Sequence, residues 1–157
     1  MTRLAAVILF CAGATGLFAQ QHPNFSGTWN LNLSESNYSD KSASKPDRLV
    51  ISVQQKGESL RYRLEREQNG KKGSFDVSLT IGGDIFESDA AGVVTAEWKG
   101  DQLVIKTLYN PGQDRQSDQV ETWSLSPDGK RLTDDMHIHP PNNGSEVHVR
   151  RVLDKQP

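Results

Sequence analysis

Thiols are nearly missing from this chain. Of its 157 residues only Cys11 is a cysteine, and it lies in the apolar run that opens the sequence. The remainder therefore holds no disulfide and no cysteine–metal site. An excess of one charge is missing too: 18 basic residues face 20 acidic ones, for a net charge of −2, and no basic block occurs. That excludes the electrostatic footprint of a nucleic-acid partner or an anionic membrane surface. Catalytic signatures are absent as well. There is no His-Glu-x-x-His, no Gly-x-Ser-x-Gly and no phosphate-cradling glycine loop, so no catalytic residue is assigned, no cofactor is expected and the chain is not read as an enzyme. The nearest thing to an acid–base set is Asp134-Asp135 beside His137. Alternation along a strand sends Asp134 inward and the other two outward, so they share no pocket.

The one long apolar run is at the start. Met1-Thr2-Arg3 precedes an apolar stretch from Leu4 to Ala19, followed by Gln20-Gln21. A positive start, an apolar centre and a small residue before a polar break describe a secretory signal peptide over residues 1–19. The run is short for a membrane span, and Gly13, Thr15 and Gly16 interrupt it. The expectation is one exported, extracytoplasmic domain over residues 20–157, periplasmic or secreted, with no membrane span after cleavage. Without disulfides it must be held by its core, which favours a closed sheet.

What is present is alternation. Trp29, Leu31 and Leu33 share one side of a first strand that begins at Gly27; Thr28, Asn30 and Asn32 share the other. Trp29 is expected to plug one end of a closed β-structure, with Gly27 permitting a close approach or a bend. Ser34 to Pro46 has no period of two and reads as a long functional loop with Tyr38 as its anchor. Short strands then follow one another, each bounded by a turn such as Asn69-Gly70 or Ser126-Pro127-Asp128-Gly129. No segment reads as a helix. Hairpins at this spacing give an all-β, antiparallel, up-and-down barrel of about eight to ten strands, with a β-sandwich as the alternative. Closure removes the free edges of such a sheet.

Three motifs carry a family resemblance. They are Gly27-x-Trp29 on the first strand, the hairpin Trp98-Lys99-Gly100-Asp101-Gln102-Leu103, and the turn Trp123-Ser124-Leu125-Ser126-Pro127-Asp128-Gly129-Lys130. With Arg150 and Arg151 on the last strand, the chain resembles lipocalin-like, calycin-type barrels, and small secreted bacterial proteins that begin Asn-Phe-Ser-Gly-Thr-Trp. The resemblance implies that an arginine from the last strand, Arg150 or Arg151, covers Trp29 and closes the barrel end. It also implies a monomeric binding module for a small, largely hydrophobic molecule. The inward face supplies the candidate ligand-binding residues: Tyr62, Leu64, Phe75, Tyr109 and Trp123, around a void of roughly 300 Å³ or more. A filled barrel acting through its surface, as an envelope interaction or structural module, is the alternative.

The last hairpin offers one further pattern. Met136 and Ile138 must face inward with Val147 and Val149, which sets Ile138 opposite Val147. His137 then faces His148, and His139 faces Glu146, on the outer side. Three imidazoles and a carboxylate suit Zn²⁺ or Cu²⁺. A solvated polar face is the ordinary state of such a patch, so no metal site is assigned from sequence.

Overall fold

The computed structural model describes residues 22–38, 44–83, 86–88, 92–142 and 144–157. The expected leader over residues 1–19 and the middle of the Ser34–Pro46 loop lie outside the described residues. Ten strands follow in order: β1 (Gly27–Leu31), β2 (Arg48–Lys56), β3 (Ser59–Gln68), β4 (Lys71–Thr80), β5 (Phe86–Ser88), β6 (Gly92–Lys99), β7 (Gln102–Tyr109), β8 (Ser117–Leu125), β9 (Arg131–His139) and β10 (Val147–Lys155). Among the described residues there is no helix.

All ten strands belong to one sheet, in the order β4-β3-β2-β1-β10-β9-β8-β7-β6-β5. Every strand-to-strand step is antiparallel. Most join sequence neighbours; the exception sets β1 between β2 and the last strand, β10, with Leu31 opposite Leu153. First and last strands thus lie side by side, and a single sheet curls round one interior instead of splitting into the two sheets of a sandwich. Between β4 and β6 the closure is nearly complete: Gly82 N–H donates to the Ala96 carbonyl at 2.7 Å.

Alternation fills that interior. Leu60, Tyr62 and Leu64 on β3 pair across the ladder with Leu79, Val77 and Phe75 on β4. β1 is shorter than the spacing predicts. It ends at Leu31 because Asn32 turns the chain: its side-chain oxygen accepts from Ser34 Oγ and from the Glu35 N–H, and its carbonyl accepts from the Ser36 N–H. Leu33 therefore sits half-buried in a turn, not on the inward face. Beyond the turn, Asn37 and Arg150 exchange two backbone hydrogen bonds of 2.7 and 3.1 Å, which lays the start of the loop along β10.

Trp29 is fully buried at the lower end. Its indole N–H donates to the Phe25 carbonyl at 2.9 Å, and the Phe25 N–H donates to Gln55 Oε1 at 2.9 Å. Phe25 itself is fully buried and meets Trp123 edge-on at 5.8 Å between ring centres. The segment before β1 thus crosses the barrel's lower mouth and supplies half of the plug.

The cation on Trp29 is Lys155, not an arginine. Its Nζ lies 5.1 Å from the ring centre. Register explains the difference, since Trp29 pairs directly with Lys155. Arg150 points outward and is exposed, and Arg151 points into the barrel towards two carboxylates. Gly27 is what lets Lys155 lie there. A Cβ at Gly27 would sit 2.7 Å from Lys155 Cε, and the backbone has φ +143°, a conformation that L side chains rarely adopt.

Candidate functional site

Two apolar clusters stack inside the barrel, and a charged layer separates them. The lower and larger holds Trp29, Trp123, Leu60, Leu103, Leu132 and Leu153 among others. The upper holds Met136, Val147 and Val149, with Tyr38 and Ile138 against them. Between them, strand pairing sets Asp134 opposite Arg151 on one side and Trp123 on the other. Glu121 follows two residues before Trp123, on the same face. All of Arg151, Asp134 and Glu121 are buried.

Arg151 donates from Nε to Asp134 Oδ2 at 2.7 Å, adds a second contact to that oxygen from Nη2, and reaches Glu121 Oε1 at 3.1 Å. Gln119 Nε2 also donates to Glu121. Two carboxylates share one guanidinium, so the layer carries an excess negative charge unless one takes a proton. Burial, then the charge of Asp134, pushes Glu121 up to about 7 against the pull of Arg151 and Gln119. Burial raises Asp134 as well, opposed by its doubly bonded Arg151. Both carboxyls are thus held above their ordinary values by burial, with Asp134 taking two of the three contacts that Arg151 makes to carboxylates.

That yields a pH prediction. Burial pushes Glu121 up to about 7 in the fold, against about 4.3 when unfolded. Between these values the native state binds the extra proton, so stability falls as pH rises through the window, and the loss from this group is complete above it. Urea midpoints are expected to be lower at about pH 8 than at about pH 5, with Glu121→Gln flattening the slope. A wild-type midpoint that does not move between those conditions contradicts the assignment.

Above the charged layer lies a cavity of about 670 Å³. Its walls are largely apolar, with Leu49, Leu64, Phe75, Met136, Ile138 and Val149 contributing. Its floor is polar, with Glu121, Gln119 and Arg151, and Tyr38 and Pro46 border it from the loop. The Tyr38 hydroxyl is buried without a hydrogen-bond partner. Burial raises the pKa of Tyr38 and pushes Tyr109 up to about 12, so both phenols are neutral donors at ordinary pH.

The five residues chosen from sequence divide. Leu64, Phe75 and Tyr109 border the large cavity. Tyr62 and Trp123 lie behind them. All five meet round a residual void of only about 10 Å³, because Tyr62 and Trp123 pack against one another at 5.3 Å between ring centres. The open space sits one layer higher, nearer the loop. Sequence reasoning did not include Tyr38, Met136 or Val149 in the site, although the inward parity of Met136 and Val149 was already legible in the last hairpin.

No family model matches the chain, and no curated protein matches it in sequence. Its fold is shared by solved structures. Secretory abundant heat soluble protein 4 from Ramazzottius varieornatus is 13% identical with a TM-score of 0.57, over 88% of this chain and 100% of that one. Apo lipid binding protein 8 from Caenorhabditis elegans is 14% identical with a TM-score of 0.55, over 84% of this chain and 95% of that one. A Schistosoma mansoni fatty acid binding protein in complex with arachidonic acid is 14% identical with a TM-score of 0.52, over 85% and 96%. These likenesses show the fold alone, an all-β antiparallel barrel.

Proposed function

We propose that this chain is an exported, monomeric, non-catalytic carrier of a small, largely hydrophobic molecule, held in the upper cavity between the sheet and the Ser34–Pro46 loop. The observation that carries the reading is a space of about 670 Å³ with largely apolar walls over a polar floor. That size falls within the range of about 300–1,000 Å³ usual for small-molecule sites. The structural neighbours support it: one was solved with arachidonic acid bound, and another is called a lipid binding protein. Export rests on the leader pattern over residues 1–19.

The floor narrows the ligand's chemistry. Arg151 is already engaged by Asp134 and Glu121, so an anionic head at the floor would meet two carboxylates beside a cation they already hold; the other lining cation among the described residues, Arg66, lies two residues along β3 from Leu64. The unpartnered Tyr38 hydroxyl and the Tyr109 phenol favour a neutral head that accepts hydrogen bonds, such as an alcohol or amide.

The test is displacement of an apolar, environment-sensitive dye from purified protein at pH 8. Dodecanol is expected to compete at least about tenfold better than dodecanoate, a difference of about 1.4 kcal/mol. Val149→Phe, which narrows the wall, is expected to weaken the dye by about tenfold or more. Failure of wild-type protein to take up dye at all favours the filled barrel acting through its surface.

A further inference from the structure

The outer face of the last hairpin gathers a second set of groups, separate from the cavity. His137 and His148 face one another across β9 and β10, with rings 4.5 Å apart and 18° from parallel. Asp135 lies two residues from His137 on the same side of β9. Its Oδ1 touches His148 Nε2 and is 3.6 Å from His137 Nε2. One donor atom from each of the three lies within 4.8 Å of the other two. Two nitrogens and a carboxylate oxygen thus converge from adjacent strands of one ladder, which fixes their backbones.

A supporting layer stands behind them. The second nitrogen of His137, Nδ1, is against Glu146 Oε1. That contact ties down Nδ1 and leaves Nε2 of His137 on the side of Asp135. The chain of contacts continues: Glu146 Oε2 is 3.6 Å from His139 Nε2, and His139 Nδ1 is 3.0 Å from Asp118 Oδ2. A carboxylate on the far nitrogen of an imidazole is the arrangement that orients metal-binding histidines.

We propose that Asp135, His137 and His148 bind a divalent transition cation that favours imidazole, Zn²⁺ or Cu²⁺, with Glu146 orienting His137 from behind. Ligand bonds of about 2.0–2.2 Å in tetrahedral geometry place donor atoms about 3.3–3.5 Å apart. The present spacing reaches that by small side-chain rotations. These side chains are free to make them, because Asp135, His137 and His148 are 38, 44 and 52% exposed. That exposure also leaves a coordination position for water. Arg150 pairs in register with Asp135 on this face and opposes a cation. The carboxylates of Asp135 and Glu146 outnumber it. Sequence reasoning placed His139 and Glu146 beside the two facing histidines; the structure moves both to the supporting layer and brings in Asp135.

The test is calorimetric titration of chelator-treated, full-length protein with ZnCl₂, repeated with CuCl₂ under electron paramagnetic resonance. About one Zn²⁺ per chain is expected, and the Cu²⁺ spectrum is expected to show nitrogen coupling. His148→Ala removes a ligand and is expected to abolish Zn²⁺ binding. Glu146→Gln leaves the ligands in place and is expected to weaken it by about 10–100-fold. His22→Ala lies elsewhere, with its ring stacked on Trp98, and is expected to bind as wild type. No heat with wild-type protein overturns the proposal. So does full affinity in a folded His148→Ala or Asp135→Asn variant, or loss of binding in His22→Ala.

Discussion

Arg151→Met is expected to destabilise the barrel by about 3–5 kcal/mol at pH 8, because it strands two buried carboxylates without their cation. Asp134 is fully buried, and apart from the Trp123 side chain beside it its Oδ1 has no hydrogen-bond partner. The other oxygen, Oδ2, accepts from Arg151. The loss is expected to shrink towards pH 5. With the guanidinium gone, both carboxyls rise further above their unfolded values, so the native state takes up protons as pH falls and recovers stability. Methionine fits the site in length and apolar character, which separates the charge effect from a cavity. A triple variant, Arg151→Met with Asp134→Leu and Glu121→Leu, is expected to regain most of the loss, since apolar residues replace an ion cluster at little cost. Urea denaturation at the two pH values measures all three proteins. A single-variant loss under about 1 kcal/mol would place the layer among weakly contributing ion pairs and remove it as the floor of the cavity.

That layer marks where the sequence stopped being legible. Each strand announces its own inward face. The pairing of Ile138 with Val147 and of His137 with His148 followed from parity and one turn, and the structure has both. Asp134, Glu121 and Arg151 sit on three different strands. Asp134 had inward parity, but at the start of a strand an inward acid reads as one that reaches water. The hairpin register that sets Ile138 opposite Val147 also sets Arg151 opposite Asp134; what the sequence leaves out is Glu121, which only the lateral order β8-β9-β10 brings to the same guanidinium. The same limit governed Trp29. A cation from the last strand was expected over the indole, and two arginines were available on that strand. Which residue arrives depends on the register of β1 against β10, a pairing between chain ends with no turn to set it. The register selects Lys155. Leu64, Phe75 and Tyr109 border the cavity, whereas Tyr62 and Trp123 pack together below it: large inward residues fill space as readily as they line it. Tyr38 stood in a segment without period, where alternation gives no direction.

Trp29→Ala is expected to cost about 3–5 kcal/mol, the range for removing a large buried aromatic. Stability for a domain of this kind is about 5–15 kcal/mol, so the variant should lie close to unfolding at physiological temperature. Three losses coincide. The indole leaves a cavity at the lower end that Phe25, anchored by Gln55, cannot collapse to fill. The Phe25 carbonyl loses its donor. Lys155 loses its ring, worth about 0.5–1 kcal/mol where exposed. Lys155→Ala measures that last part alone and is expected to fall within about 1 kcal/mol of wild type. Trp29→Phe keeps most of the volume but not the N–H, and is expected to fall between the two. Thermal and urea unfolding of the set would order them. The order matters for more than stability. The buried apolar cluster round Trp29 and Phe25 is much larger than the one beside the upper cavity, so the barrel is held from its lower end, by that plug under the paired first and last strands. If Trp29→Ala loses less than about 1 kcal/mol, the plug is dispensable and the sheet's own pairing holds the ring. The charged layer would then be the structural centre of the fold.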